Sequence, residues 1–181
     1  MTRASEDLMH EHEAVLQALN ILEKISAALT PGRPDVQADL LKIIDFFKIF
    51  TDTCHHGKEE KFFFPALEEA GIAKNNGPIG VMLAEHEQGR KYMRGLGAAL
   101  AEKTINAAEF MKMANNYINL LRAHISKENN ILFPMGDQKL TAARQKDLLD
   151  EFARFEDEII GRGRHEELHR LLHNLQQKYT V

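Results

Sequence analysis

One short pattern occurs twice in this chain of 181 residues and restricts its possible folds more than any other feature. His55 and Glu59 are four residues apart, and His124 and Glu128 repeat that spacing 69 positions later. In both copies a proline stands six positions after the glutamate. Because residues four apart share one face of an α-helix, each copy directs an imidazole and a carboxylate to the same point. The repeat therefore predicts two helices that place these groups together inside a helical fold.

Hydrophobic periodicity predicts helices along the whole chain and no strands. Apolar residues recur at spacings of three and four, and stretches rich in proline, glycine or asparagine, such as 30–34 and 161–163, separate the segments. The expected helices run from about 5 to 29, 34 to 65, 79 to 102, 107 to 133, 141 to 160 and 164 to 178. Pro65 is expected to kink or end the second helix, because proline cannot donate a helical hydrogen bond.

The lengths of the connections predict how these helices are arranged. Short connections between long amphipathic helices favour antiparallel neighbours. We therefore expect an all-α fold with an up-down-up-down four-helix bundle over about residues 5–135 and two additional C-terminal helices over about 141–178. A single domain spanning residues 1–181 is the simplest organisation at this length.

The duplication extends to the first and third helices, where a Glu-His-Glu sequence recurs. A pseudo-two-fold arrangement of the two halves would bring together six metal ligands: His12, His55, Glu59, His86, His124 and Glu128. Burying such groups without a cation costs several kcal/mol per charge, so a dinuclear metal site is favoured over a hydrogen-bonded polar core. Imidazole and carboxylate ligands without thiolate suit iron or manganese and also accept zinc. We predict iron.

Residues beside these ligands are assigned ordinary roles. Successive residues are rotated by about 100° on an α-helix, so His10 and His56 are expected in solvent or next to the ligands, and Glu60 in solvent. Cys54 is expected to be a small core residue. Tyr117 lies on the face of His124 and is a candidate hydrogen-bond donor to the site.

Charge and composition exclude several classes of function. The net charge is −4 and the basic residues are dispersed, which argues against a nucleic-acid surface and against adhesion to an anionic membrane. The first residues are charged and no run of about 18 apolar residues occurs, so a cytoplasmic protein is expected. Cys54 is the only cysteine, which excludes an intramolecular disulfide.

The chain resembles hemerythrin-like proteins of the HHE cation-binding domain family. The ordered set His12, His55xxxGlu59, His86 and His124xxxGlu128, together with both Phe-Pro dipeptides, carries this resemblance over about residues 5–135. It implies a non-haem diiron centre in a four-helix bundle, with Glu59, Glu128 and an oxo or hydroxo group bridging two iron ions and the histidines as terminal ligands. It also implies an open position for O₂, peroxide or NO, in sensing, storage or detoxification, with a redox partner that the sequence does not identify.

Two positions differ from the oxygen-carrying hemerythrins. Those proteins have a second histidine four residues after the one on the third helix, where this chain has Arg90, and their last motif is HxxxxD instead of HxxxE. A fifth histidine ligand is therefore missing from the bundle. The last helix carries His165, His169 and His173 at four-residue steps along one face. We expect His165 or His169 to reach an iron ion when this helix folds back.

Other functions compete with this interpretation. The segment His165-Glu166-Glu167-Leu168-His169 fits the HExxH pattern of zinc metalloproteases, although no third ligand follows in a familiar register. Iron storage or donation is a second alternative, but ferritin-type sites use two GluxxHis units and only residues 166–169 supply one here. A structural bundle with a zinc ion or an empty site is the third.

Overall fold

The computed structural model of the chain describes residues 2–30, 32–102, 104–161 and 163–179, and all regular structure in these ranges is helical. The prediction of an all-helical chain without strands is therefore confirmed for the described residues. Pro31 and Arg162, which belong to two predicted connections, lie outside them. The α-helices are α1 (Ala4–Ala27), α2 (Pro34–Phe46), α3 (Phe64–Glu69), α4 (Pro78–Ala101), α5 (Ala107–Lys127), α6 (Phe133–Lys139), α7 (Ala142–Ile159) and α8 (Arg164–Tyr179).

Three π-helical segments join some of these helices into longer ones. They are π1 (Phe47–His56), π2 (Glu59–Phe63) and π3 (Glu128–Leu132). Residues 34–69 consequently form one continuous helix, and residues 107–139 form another. Prolines in the first turn begin α2 and α4, where a missing N–H leaves no helical bond unmade.

Both Phe-Pro dipeptides follow a π-helical segment directly. The Phe64 N–H donates to the carbonyl of Glu59, and the Phe133 N–H donates to the carbonyl of Glu128, each five residues earlier. A proline ring in an α-helix clashes with the carbonyl four residues before it, and the wider π turn relieves that crowding. The sequence predicted that Pro65 would either kink or end this helix. The second alternative is wrong, because the helix continues to Glu69.

The helices pack as a bundle with a polar layer between two apolar clusters. Helix α1 packs against α2 and α5, α4 packs against α5 and α2, and the C-terminal helices cover one side, with α7 on α1, π1 and π2 and α8 on α1 and α2. The larger apolar cluster contains Leu22, Phe47 and Leu121, and the smaller one contains Phe63 and Phe133. Along each long helix, buried histidine and glutamate residues lie between these clusters.

Hydropathy of the helices gives no indication of a transmembrane segment. None of the helices in the described part of the chain combines the length and the apolar content needed to cross a bilayer.

Gly57 lies where α7 packs against the continuous helix 34–69. A Cβ atom at this position would lie 2.8 Å from Cζ and 2.9 Å from Cε1 of Phe155. The Phe155 ring is buried, and Phe62 packs against it with ring centroids 5.4 Å apart. A side chain at residue 57 would therefore have to displace both rings.

We expect Gly57→Ala to lower the free energy of unfolding by about 1–3 kcal/mol, because overpacking outweighs the better helix propensity of alanine. Chemical denaturation measures this difference. The matched control is Gly97→Ala on α4, where the nearest atom to a new Cβ is the Lys48 Nζ at 3.7 Å. That variant should gain up to about 1 kcal/mol. Equal stability of the two variants would show that close packing is not the reason for a glycine at residue 57.

Candidate metal centre

The structure brings all six predicted ligands together in the polar layer. One group contains His12, His55, Glu59 and Glu128, and a second contains His86 and His124 with Glu59 again. In each group the ligand atoms lie within 4.8 Å of one another. All six residues have at most 1% of their surface exposed, so the groups are closed to bulk water.

The two carboxylates each span both histidine pairs. Glu128 Oε2 is 3.2 Å from the Nε2 atoms of both His12 and His124. Glu59 Oε1 is 3.6 Å from Nε2 of His55, and its Oε2 is 3.4 Å from Nε2 of His86. Two ligand atoms about 2.1 Å from one ion and at right angles to each other are about 3.0 Å apart. The spacing of these atoms is therefore close to that of neighbouring ligands around metal ions.

Hydrogen bonds at Nδ1 fix which nitrogen of each imidazole faces the layer. Each Nδ1–H donates to a side-chain oxygen at 2.7–2.9 Å. The pairs are His12 with Asn129, His55 with Glu11, His86 with Glu60, and His124 with Glu85. Metal-binding histidines characteristically donate their other N–H in this way, because it sets the tautomer and the ring orientation. All four Nε2 atoms are thus presented as lone-pair donors.

Several of the buried groups in the layer have no partner. The four carboxylate oxygens of Glu59 and Glu128 make no hydrogen bond in the described structure. The Nε2 atoms of His12 and His55 are 2.9 Å apart, and those of His86 and His124 are 3.1 Å apart, so each pair brings two nitrogens to one point. Buried charges and lone pairs of this kind are stabilised by a cation. These residues therefore fit a pair of metal ions, one for each histidine pair.

Burial and neighbouring charges shift the pKa values of several groups in the polar layer. Burial, together with the neighbouring Glu128 carboxylate, raises the pKa of Glu59 well above its ordinary value. Burial lowers the pKa of His55 and of His86, which keeps their rings neutral. Burial opposes protonation of His124 too, but the carboxylates of Glu128 and Glu85 raise its pKa to about 9. Metal binding should therefore release protons from this layer.

Of two residues next to the ligands, His56 lies in one of the two predicted places, beside the ligands, whereas Glu60 differs from its prediction. His56 is 4% exposed and joins the second group with Glu59, His86 and His124. It lies at the end of π1, where more residues per turn reduce the rotation between neighbours, so His55 and His56 both face inward. Glu60 is not simply solvated, because it accepts the Nδ1–H of His86 and a hydrogen bond from Arg90.

The C-terminal histidines do not join either group of ligands. The rings of His165 and His169 contact each other and the ring of Phe50. Helix α8 buries Leu168 and Leu172 on its neighbours, and this packing directs the histidine face to Phe50 instead of to the polar layer. Among the described residues no third metal-binding side chain completes a site with His165 and His169, as an HExxH protease would require.

The remaining candidate residues, His10, Cys54 and Tyr117, have environments that suit surface or packing roles. His10 is exposed and pairs with Glu13. Cys54 is fully buried, and burial raises the pKa of its thiol to about 12. Tyr117 makes no hydrogen bond to a described residue, so it does not donate to the layer. It packs on Phe47 and lines a cavity of about 200 Å³ beside His56.

A buried lysine supports one side of the site and was missed by the sequence analysis. Lys58 Nζ is 2.9 Å from Glu11 Oε1 and 2.9 Å from Glu156 Oε2 on α7. Burial opposes the charge of this amine, but Glu11 raises the pKa of Lys58. The group therefore stays a charged ammonium between the two carboxylates. The repeat contained a signal for this arrangement. Lys127 stands at the equivalent position of the second half and pairs with Glu85.

Comparisons with known proteins agree with this geometry. The family model described as hemerythrin HHE cation binding domain matches residues 3–136. The uncharacterized protein Rv1995 of Mycobacterium tuberculosis is 28% identical over 160 residues, which cover 82% of this chain and 59% of that protein.

Two further relatives are named iron-sulfur cluster repair protein YtfE. The one from Escherichia coli O81 is 31% identical over 128 residues, covering 67% of this chain and 56% of that protein. The one from Edwardsiella ictaluri is 28% identical over 139 residues, covering 70% and 60%. The chain thus spans only about 56–60% of the length of these curated relatives. The family match ends before α7 and α8.

Proposed function

The chain belongs to the hemerythrin HHE cation-binding domain family, and on this premise we propose that it is a non-haem diiron protein that binds or reacts with O₂, peroxide or NO. The observation that carries the proposal is the pair of buried carboxylates, whose oxygens make no hydrogen bond to a described residue and which each lie beside both histidine pairs. The helix pairings are those expected of an up-down-up-down four-helix bundle with two added C-terminal helices. We take residues 1–181 as one domain.

The proposed ligands follow from the contacts of the polar layer. His12 and His55 would hold one iron ion and His86 and His124 the other, with Glu59 and Glu128 shared between them, since one oxygen of Glu59 lies toward each pair. Bound iron would supply the electrons and the position at which a small ligand binds. The protein contributes ligand geometry through the hydrogen bonds at Nδ1 and excludes water with the apolar clusters on both sides.

A second candidate function is iron donation. It is favoured by the relatives whose name is iron-sulfur cluster repair protein, which share 28–31% identity with this chain. Iron that passes to a chelator within minutes and has no stable visible spectrum would support this function over binding of O₂, peroxide or NO. We retain His165 and His169 as ligands only for a conformation in which α8 has moved, since their present contacts are with Phe50.

Iron content and the visible absorption spectrum test the diiron proposal directly. We expect about two iron ions per chain in protein purified with and without air, because the layer offers two nitrogen pairs and two bridging carboxylates. Ferric absorption bands should appear in air and bleach on reduction. One zinc ion per chain without visible bands would contradict the proposal. Colourless protein that stays folded after chelation would indicate a structural bundle instead.

A further inference from the structure

A pair of histidines with the geometry of metal ligands lies outside the polar layer, on α8. His165 and His169 are four residues apart, and their ring centroids are 4.6 Å apart at an interplanar angle of 64°. The two pairs of the layer have nearly the same geometry. These values are 4.6 Å and 60° for the pair on α1 and π1, and 4.8 Å and 64° for the pair on α4 and α5. The α8 pair therefore matches the proposed ligand pairs in spacing and in ring orientation.

The ring nitrogens of the α8 pair are free to bind an ion. Neither His165 nor His169 makes a hydrogen bond or an ion pair with a described residue. His165 is half-buried and His169 is exposed, so ions in solution can reach both rings. Partial burial and the neighbouring His165 lower the pKa of His169, which keeps its ring neutral and able to donate a lone pair.

Packing of α8 holds both rings against one side chain. The ring centroid of Phe50, which is buried, is 5.4 Å from that of His165 and 5.7 Å from that of His169. Leu168 and Leu172 are buried on the opposite side and set the orientation of the helix. Holding two ligands near their bound positions lowers the entropic cost of binding an ion between them.

The other cluster of potential ligands outside the polar layer is already neutralised by a lysine. Ligand atoms of Glu11, Cys54 and Glu156 lie within 4.8 Å of one another. The Nζ atom of Lys58 lies 2.9 Å from an oxygen of Glu11 and 2.9 Å from an oxygen of Glu156. A metal ion would have to displace this buried ammonium group. The α8 pair is therefore the better place for a further ion.

We propose that His165 and His169 bind one divalent cation of the late first transition row, Zn²⁺, Ni²⁺ or Cu²⁺, with water at its other positions. Imidazole suits these ions, and two histidines four residues apart on one helical face form the zinc-binding part of the HExxH pattern. This ion is additional to the two in the polar layer and requires no movement of α8. The site belongs to the C-terminal helices of this chain, since the family match ends at residue 136.

Calorimetric titration of the iron-loaded protein, without an affinity tag, with Ni²⁺ tests this site. We expect about one further ion per chain. His165→Phe and His169→Phe should each weaken its binding by about 100-fold or more, because the second imidazole acts at a high effective concentration once the first has bound. Phenylalanine keeps a ring against Phe50, so thermal unfolding of both variants without Ni²⁺ should be close to that of the unsubstituted protein.

His173→Phe is the matched control, because it changes the next histidine on the same face and leaves the pair intact. This variant should bind Ni²⁺ like the unsubstituted protein. Equal Ni²⁺ binding by His165→Phe and the unsubstituted protein would overturn the assignment, and so would a loss in His173→Phe as large as that in His165→Phe. Iron content is measured in parallel and should be the same in all four proteins. Iron missing from the unsubstituted protein would contradict the diiron proposal but not the α8 site, which the difference between His165→Phe and the unsubstituted protein reports.

Discussion

Glu128→Ala is expected to leave the protein with less than about one tightly bound iron ion per chain instead of about two. Glu128 Oε2 lies 3.2 Å from the Nε2 atoms of both His12 and His124, so the substitution removes a ligand from both positions at once. Glu59→Ala should act in the same way, because the two oxygens of Glu59 face His55 and His86. Metal analysis after desalting measures the loss.

The same substitution should lower stability in both forms of the protein, and more in the iron-loaded form. In the presence of iron at about 1,000 times its dissociation constant, loss of binding costs about 4 kcal/mol, since a ligand stabilises the folded state by mass action. In the metal-free protein Glu128→Ala should also be destabilising, because it removes the buried carboxylate that pairs with His124 and raises the pKa of that histidine. Thermal unfolding with and without iron separates the two effects.

A matched control is Glu13→Ala, which changes an exposed glutamate next to His12 whose partner is the exposed His10. This variant should bind iron like the unsubstituted protein. Unchanged iron content in both Glu59→Ala and Glu128→Ala would refute the bridging roles of these residues.

Lys58→Met is expected to lower the free energy of unfolding by about 3–5 kcal/mol, because it leaves the buried Glu11 carboxylate without its counter-charge. Lys58 is 2% exposed and pairs with Glu11, Glu156 and Asp7. Glu11 also accepts the Nδ1–H of His55, so iron should dissociate faster from this variant. Denaturant unfolding gives the stability, and transfer of iron to a chelator gives the rate.

The internal repeat supplies the control for this prediction. Lys127 stands at the position equivalent to Lys58 and pairs with Glu85, but its side chain is 36% exposed because α7 covers only the first half. Lys127→Met should therefore cost no more than about 1 kcal/mol. Combining Lys58→Met with Glu156→Gln should restore part of the lost stability. Equal costs for the two lysine variants would show that burial under α7 does not set the strength of the Lys58 contacts.

The sequence predicted that the six candidate ligands meet in one layer, because their positions depend only on helical periodicity and on the repeat. It could not decide that His56 faces inward beside His55, because a projection of 100° per residue is wrong where a helix widens to π geometry. Glu60 was assigned to solvent for the same reason. His165 and His169 illustrate another limit. Their spacing fixes a shared face of α8, but the packing of Leu168 and Leu172 decides where that face points.

The partners of the ligands were present in the sequence as repeated residues without an assigned role. Glu11 and Glu85 precede the equivalent histidines of the two halves, and each accepts a hydrogen bond from the histidine of the next helix. Glutamates are also common on exposed helical faces. The repeat alone therefore did not distinguish a glutamate that accepts a histidine N–H from one that is solvated. Distances between helices were needed to do so.

The π-helical segments that begin at Glu59 and at Glu128 also bear on how the two halves of the chain arose. Both occupy the same position relative to the histidine, the glutamate and the Phe-Pro dipeptide of their half. A widened turn of this kind corresponds to one residue inserted into an α-helix. Two independent insertions at one equivalent position are a less simple explanation than a single insertion before duplication. Duplication of one helical hairpin that already carried the insertion explains both segments with a single event.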